Sequence, residues 1–178
     1  MTNDAGAPPL MPTLDTGPGG GARCAIALDP SGDEPLRLLL PVGSVAQLVR
    51  NVRASVMPNT PPWFCGLLNR QGNLVPLFDL LRYFDLAPRA RHAHALVVGD
   101  GDAAFALPVA VEPRIQPPGM DCEDSRGAPS ALDGFVGAAY RHDGQRWYDF
   151  RFDAWLARLA AGAASAPHVT PASVEKPA

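Results

Sequence analysis

The chain has 178 residues, a net charge of −3 and 19% charged residues, with Lys and Arg scattered along its length. This composition suits one medium-sized globular domain or two small fused ones, and it excludes the basic face of a nucleic-acid-binding protein. The amino terminus lacks the features of a signal peptide, and the longest apolar runs are too short to span a bilayer. The three cysteines fit no metal-binding spacing, which favours reduced thiols in a soluble cytoplasmic protein.

Both ends of the chain lack the apolar periodicity of folded structure. Residues 1–21 are rich in proline and glycine, and residues 163–178 consist mainly of Ala, Pro, Ser and Thr. Neither segment buries enough apolar surface to offset the entropy of ordering it, so we predict two flexible tails. The folded domain is expected at 22–162.

Within this domain the hydrophobic pattern is mostly that of β-strands. Residues 22–28 alternate as a half-buried strand does, and apolar runs follow at 36–42 and 94–98. A glycine-aspartate turn after the third run predicts a hairpin over 94–111. Residues 147–152 alternate again, with aromatic side chains on one face.

Two short helices are predicted, each after an aspartate. Asp79 can cap a helix that carries Leu81 and Phe84. Asp153 can cap a second helix that carries Trp155 and stops near Gly162.

The two halves of the domain resemble each other. Residues 64–70 parallel residues 135–141, and each stretch leads through a glycine turn and an apolar strand to an aspartate and a helix. Upstream, 39–42 parallel 106–109 in the same order. Two matching series in register indicate an internal duplication.

The duplication predicts two similar small β subdomains, at about 35–90 and about 91–160. Small barrels are the natural arrangement for short strands, because closure leaves few exposed edges. The opening strand near 22–28 could belong to either barrel. The residues expected to hold this structure are Trp63, Gly66, Asp79, Gly137 and Asp153.

No constellation in the sequence predicts catalysis, a cofactor or a metal. His92 and His94, with His142, lack supporting ligands at zinc-site spacing, and a solvated strand edge is the better interpretation. The acidic stretch 121–124 reads as a solvated loop rather than a calcium loop. Cys65 has no recognisable partner histidine and is interpreted as a buried small hydrophobe. We therefore expect a protein that is not an enzyme.

Trp63 has two interpretations. It follows Pro61 and Pro62 and leads an apolar segment, which favours a core position. Tryptophan is also enriched at interface anchors, so a partner contact stays open.

Several spaced motifs carry a family resemblance. They are Pro58-Asn59-Thr60-Pro61, Trp63, Gly66-Leu67-Leu68-Asn69, Gly72 and Leu74-Val75-Pro76-Leu77-Phe78-Asp79-Leu80, preceded by 40–49 and followed by 135–159. In this order they resemble the CheW family, the adaptor domain of bacterial chemosensory systems. The resemblance covers about 23–160 and agrees with the division into two halves.

The resemblance implies a mainly β fold of two SH3-like five-stranded β-barrels with short capping helices, packed around a shared apolar core. It implies a non-catalytic adaptor that couples the cytoplasmic hairpin of a methyl-accepting chemoreceptor to the regulatory domain of a CheA-type histidine kinase. Such an adaptor is cytoplasmic, reaches membrane receptor arrays through its partners and does not itself insert into the membrane. The Trp63-Phe64 pair is similar to the PilI-type adaptors of type IV pilus (twitching motility) systems, and flagellar chemotaxis is a close alternative.

Two other functions stay open at this point. One is a divergent CheW-like protein with a different signalling partner. The other is a small β-barrel enzyme or ligand-binding protein, which would have a deep apolar pocket with convergent polar groups.

The resemblance places the receptor-binding groove beside the turn at 69–72 and the step at 45–48. The residues it implies for partner binding are Val45, Gln47, Leu48, Asn69, Arg70, Gln71 and Gly72. Two positions depart from the family pattern: Gln71 stands where Arg is usual, and Gln47 stands where Glu is usual. Our hypothesis is that neutral hydrogen bonds replace a salt bridge there and alter partner choice. The alternative is that Arg70 takes over the role of the missing arginine.

Overall fold

The structure is a computed structural model, and it describes residues 22–28, 35–86, 94–109, 111–116, 120–123 and 127–164. The predicted tails lie outside these residues, except that 163 and 164 belong to the last helix. No helix in the described part of the chain is long and apolar enough to cross a membrane.

Eleven strands and two α-helices make up the described chain. The strands are β1 Arg23–Leu28, β2 Leu36–Leu39, β3 Ala46–Arg50, β4 Phe64–Arg70, β5 Asn73–Phe78, β6 His94–Val98, β7 Phe105–Val109, β8 Arg114–Gln116, β9 Asp121–Glu123, β10 Val136–His142 and β11 Gln145–Phe150. The helices are α1 Leu80–Tyr83 and α2 Phe152–Ala164, and short 3₁₀ turns lie at Gly101–Ala103 and Ser130–Leu132. The predicted hairpin is confirmed as β6 and β7, which pair antiparallel.

The strands form two sheets with the same internal plan. The six-stranded sheet has the order β8-β1-β2-β11-β10-β9, and the five-stranded sheet has the order β3-β6-β7-β5-β4. In each sheet one antiparallel hairpin meets another through a single parallel pair, β2 with β11 and β7 with β5. In the six-stranded sheet, β9 pairs with the outer side of β10. In the five-stranded sheet, the same place beside β4 is taken by a single β-bridge between Ser55 and Leu67.

The two sheets exchange hairpins between the halves of the duplication. The β1–β2 hairpin from the first half joins strands of the second half, and the β6–β7 hairpin joins strands of the first half. The sheets therefore divide the chain differently from the expected subdomains at about 35–90 and 91–160. The physical reason is that each early hairpin completes its sheet with distant strands rather than with the strands that follow it.

Alternate residues of the exchanged hairpins pack into different clusters. In β1, Cys24, Ile26 and Leu28 pack in a central core, whereas Ala25 packs with Leu39 and Trp147 in a small cluster of the six-stranded sheet. In the same way, β6 divides its side chains between the central core and an inner cluster of the five-stranded sheet. Both faces of these strands are thus buried, as the continuous apolar run at 94–98 indicates. The expectation that 22–28 is half-buried is wrong, because Ala25 on the second face packs in a cluster of its own. The fold class is the expected one, mainly β with two SH3-like units around a shared core.

Both helices pack against the central core, but their first turns are capped in different ways. Asp79 is buried and caps α1, because its Oδ1 accepts a hydrogen bond from the Arg82 backbone N–H at 3.1 Å. The expectation that Asp153 caps α2 is wrong. The helix already begins at Phe152, and the carbonyl of Arg151 accepts the hydrogen bond from the Trp155 N–H at 3.1 Å. Asp153 lies in the first turn, where its carboxylate interacts favourably with the positive end of the helix dipole.

Candidate partner-binding surface

The turn between β4 and β5 presents the predicted loop tip. Gln71 and Gly72 both have positive φ angles, 51° and 93°, which is the geometry of a two-residue type I′ hairpin turn. The Gly72 N–H donates to Asn69 Oδ1 at 3.0 Å and fixes the tip from inside. Asn69, Gln71 and Gly72 are exposed.

Arg70 and Gln47 join the two edges of the five-stranded sheet. Arg70 ends β4 and Gln47 lies in β3, and these strands stand at opposite edges of the sheet order. The Arg70 guanidinium nevertheless donates a hydrogen bond to Gln47 Oε1. The sheet therefore curls until its edges meet, and this side-chain pair lies at the mouth of the resulting barrel.

This contact bears on the two interpretations of the departures from the family pattern. Gln71 lies exposed at the tip, while Arg70 makes the hydrogen bond to Gln47. The bond joins a cation to a neutral amide, so it differs from the neutral pair of our first hypothesis. The expectation that Arg70 takes over the role of the missing arginine stays a prediction, which this contact favours.

Val45 and Leu48 have different environments. Val45 is 52% exposed, and its carbonyl accepts the Gly99 N–H at 2.9 Å, so it extends the ladder of β3. Because it lies two residues before Gln47, its side chain is on the same face of the strand. Leu48 is half-buried and packs against the central core. Of the two apolar residues, Val45 is thus the one available to a partner.

Gly66 and Trp63 hold β4 in position. Gly66 lies in a β-bulge with φ 124°, and a Cβ on it would be 2.4 Å from the backbone oxygen of Ser55. The Trp63 carbonyl accepts the Asp79 N–H at 2.8 Å. Gly137, which the sequence repeat aligns with Gly66, has no positive φ, and its nearest neighbour would be 3.7 Å from a Cβ.

Trp63 contributes both to packing and to the surface. Its ring packs edge-on against Tyr83, with the centroids 5.4 Å apart, and it is half-buried. The ring also lines an open apolar depression of about 580 Å³ between the 57–64 segment and α2. Among the residues that line this depression, only Thr60, Asp102 and the Trp63 indole carry polar side-chain atoms. The depression therefore lacks the convergent polar groups that an enzyme site needs.

The corresponding end of the six-stranded sheet holds an open cavity, whereas Arg70 and Gln47 bridge the mouth of the five-stranded sheet. A cavity of about 410 Å³ lies between β8 and the β10–β11 turn, and Arg37, Arg114 and His142 are among its lining residues. Glu112 also lines it, and hydrogen bonding and charge from Arg50 lower the pKa of its carboxyl group.

The candidate metal ligands do not assemble within the described ranges. No three His, Cys, Asp or Glu side chains come together there as metal ligands would. His92 and Asp124, like the side chains of Asp121 and Glu123, lie outside the description. Cys65 is half-buried and packs beside the inner cluster of the five-stranded sheet.

One part-buried ion pair, between Arg23 and Asp149, was not predicted from the sequence. The Arg23 guanidinium contacts the Asp149 carboxylate and also donates to the Leu40 carbonyl at 3.0 Å. Arg23 is only 8% exposed. The available signal was an arginine at a position of β1 that alternates with core residues.

Comparison with known proteins gives the family. The family model for the CheW-like domain matches residues 32–157, which is more than half of the chain. A solved structure, the scaffolding protein TtCheW from Thermoanaerobacter tengcongensis, is similar with a TM-score of 0.60 and 18% identity over 74% of this chain and 88% of that one. No curated protein matches the chain. The fold is thus the two-barrel fold of CheW-type domains.

The chain belongs to the CheW-like domain family. Membership supports the expected class, a non-catalytic chemosensory adaptor. The match spans strands of both sheets, so it concerns both barrels rather than one, although β1 lies before its first residue.

Proposed function

We propose that this protein is an adaptor that couples the cytoplasmic hairpin of a methyl-accepting chemoreceptor to the regulatory domain of a CheA-type histidine kinase. The observation that carries the proposal is the family match over residues 32–157. Through these two contacts the protein associates with membrane receptor arrays from the cytoplasm.

The exposed start of β3 supports a receptor contact at the barrel mouth. Val42 and Val45 are 45% and 52% exposed, and Gln47, two residues after Val45, accepts a hydrogen bond from Arg70. In helix-in-groove recognition, apolar anchors bind one face of a helix while polar groups around them fix its register. Val45 serves as the anchor, and Gln47, Arg70 and the 69–72 turn form the polar rim.

The direct test is binding of the purified full chain to two probes. One probe is the soluble hairpin fragment of a chemoreceptor from the same genome, and the other is the regulatory domain of a CheA-type kinase from that genome. We expect micromolar dissociation constants by calorimetry for both. Binding to neither probe would refute the adaptor proposal. Binding to the kinase domain alone would refute the coupling role and would indicate a divergent partner at the receptor site.

A pair of valine variants locates the receptor contact. Val45→Asp places a charge on the proposed anchor and should weaken hairpin binding by at least about thirtyfold, which corresponds to the loss of about 2 kcal/mol at a hot spot. Val111→Asp is the matched control, because Val111 is 41% exposed but lines the cavity of the six-stranded sheet. Equal losses for the two variants would contradict this location.

For the pathway, we propose twitching motility on the basis of the Trp63-Phe64 pair, which is similar to PilI-type adaptors. A chromosomal deletion that abolishes twitching but leaves swimming intact would support this assignment, and the reverse phenotype would assign the protein to flagellar chemotaxis.

A further inference from the structure

The apolar depression beside Trp63 has the lining of a groove that binds proline-rich peptides. Such peptides dock on aromatic-lined grooves, because their polyproline II conformation is preformed and loses little entropy on binding. Met57, which is 44% exposed, lines the depression. The other large apolar side chains that line it are Trp63, Phe64, Phe78, Phe105, Leu156 and Leu159.

Charge contributes little to this surface. Of the described residues that line the depression, only Asp102 has a charged side chain, so apolar packing rather than an ion pair selects the occupant. The Trp63 indole carries one N–H donor. A polyproline II backbone has no internal hydrogen bonds, and its carbonyl groups are therefore available to such a donor.

The chain itself contains a segment with the matching chemistry. Residues 7–12 read Ala-Pro-Pro-Leu-Met-Pro, and they lie outside the described ranges. Pro9 and Pro12 are three residues apart, which is one turn of a polyproline II helix, so in that conformation they would share an edge. No other segment outside the described ranges combines this proline spacing with two large apolar residues. In residues 165–178, for example, successive prolines are four and six residues apart.

The connection to the folded domain is long enough for this segment to reach the depression. Ten residues, 13–22, separate Pro12 from the start of β1 at Arg23. Fully extended, they span roughly 33–36 Å, more than twice the radius of gyration of about 14 Å that a domain of about 120 residues has. Four of the ten residues are glycines. A short glycine-rich connection holds its two ends at an effective concentration on the order of 1 mM.

We propose that residues 7–12 dock in the apolar depression of the same chain and cover it. This contact goes beyond the adaptor function, since the chain makes it with itself and needs neither receptor nor kinase. Alone, these residues bury too little apolar surface to offset the entropy of ordering them. The aromatic lining supplies that surface, and the tether makes even weak docking effective. The docked segment shields Trp63 from solvent and closes the depression to other proline-rich peptides.

The first test measures the accessibility of Trp63 in the full chain. Acrylamide quenching of tryptophan fluorescence reports mainly on Trp63, because Trp147 and Trp155 are 5% and 0% exposed. The double variant Leu10→Asp/Met11→Asp places two charges on the docking segment, and burial of an unpaired charge is strongly unfavourable. We therefore expect the quenching constant to rise about twofold in this variant.

A matched variant controls for the added charge. Val169→Asp/Val174→Asp places the same two charges in residues 165–178 and should leave the quenching constant unchanged. An unchanged constant in Leu10→Asp/Met11→Asp would overturn the proposal. An equal rise in both double variants would also overturn it, because the effect would then not belong to residues 7–12.

The second test is competition by a synthetic peptide of residues 5–16. If this peptide binds the open depression with a dissociation constant of about 0.1 mM, a tether at about 1 mM fills the depression in roughly nine chains of ten. The peptide should then bind the wild-type chain about tenfold more weakly than it binds Leu10→Asp/Met11→Asp. Equal affinities for these two chains would overturn docking within the chain.

Two alanine positions of α2 test the location in the same double-variant background. Ala160→Glu adds a charge within the depression and should abolish peptide binding. Ala157 is also exposed on α2 but does not line the depression, so Ala157→Glu should keep the affinity of its parent. Equal losses in the two variants would overturn the assigned site. An unchanged melting temperature separates loss of docking from misfolding.

Discussion

Replacing Gly66 by alanine tests the packing that positions β4. The new Cβ would be 2.4 Å from the oxygen and 2.9 Å from the carbon of the Ser55 carbonyl. Both are backbone atoms, so no side-chain rotation relieves the clash. Ser55 is itself held to Leu67 by two backbone hydrogen bonds, of 2.9 and 3.0 Å.

The expected loss combines two costs. A residue with a Cβ pays about 1–2 kcal/mol for a left-handed backbone conformation. Forcing extra atoms into a packed site costs about 1–3 kcal/mol more. We therefore expect Gly66→Ala to reduce the free energy of unfolding by about 2–5 kcal/mol, a large part of the roughly 5–15 kcal/mol that stabilises a typical domain.

The assay is equilibrium unfolding in urea, with Gly137→Ala as the matched control. Gly137 lies in the corresponding strand, but its φ is not positive and a Cβ there meets nothing closer than 3.7 Å. Alanine in a strand interior should be neutral or stabilising by up to about 1 kcal/mol relative to glycine. A loss below about 1 kcal/mol for Gly66→Ala, or equal losses in the two variants, would refute the steric argument.

Two further predictions concern the first helix and the buried thiol. Asp79→Ala should cost about 1 kcal/mol in urea unfolding because it removes the bond to the Arg82 N–H, whereas Asp153→Ala should cost less because it removes only a helix-dipole interaction. A larger loss for Asp153→Ala would contradict these assignments. Burial raises the pKa of the Cys24 thiol to about 11, so at pH 8 iodoacetamide should modify exposed Cys122 far faster than Cys24 in the folded protein. Comparable rates by mass spectrometry would show that β1 opens readily.

Local pattern was sufficient to predict the longer strands. The predicted strand at 94–98 has the same first and last residues as β6, and the alternating segment at 22–28 corresponds to β1. These strands are predictable because both of their faces are buried, which leaves a dense apolar signal. By contrast, β8 and β9 have three residues each, too few for any periodicity. Their existence depends on pairing with β1 and β10.

The exchange of hairpins could not be predicted from the duplication. A repeat shows that two segments have similar structure, but it does not show whether each hairpin pairs within its own half. The pairing is set by contacts such as Leu38 with Tyr148, which lie far apart in sequence. The same limit applies to the candidate site. The motif indicated the residues around the turn, but only the curvature of the sheet shows that Arg70 reaches Gln47.

The two barrel mouths have diverged although the strand arrangement is the same in both. Gln47 and Arg70 close the five-stranded barrel with a hydrogen bond. At the corresponding ladder positions of the six-stranded sheet stand Arg114 and His142, which line an open cavity of about 410 Å³. Arg114 has only donors and cannot supply the acceptor oxygen that Gln47 supplies. Because the strand arrangement is the same in both sheets, the fold itself does not require this difference.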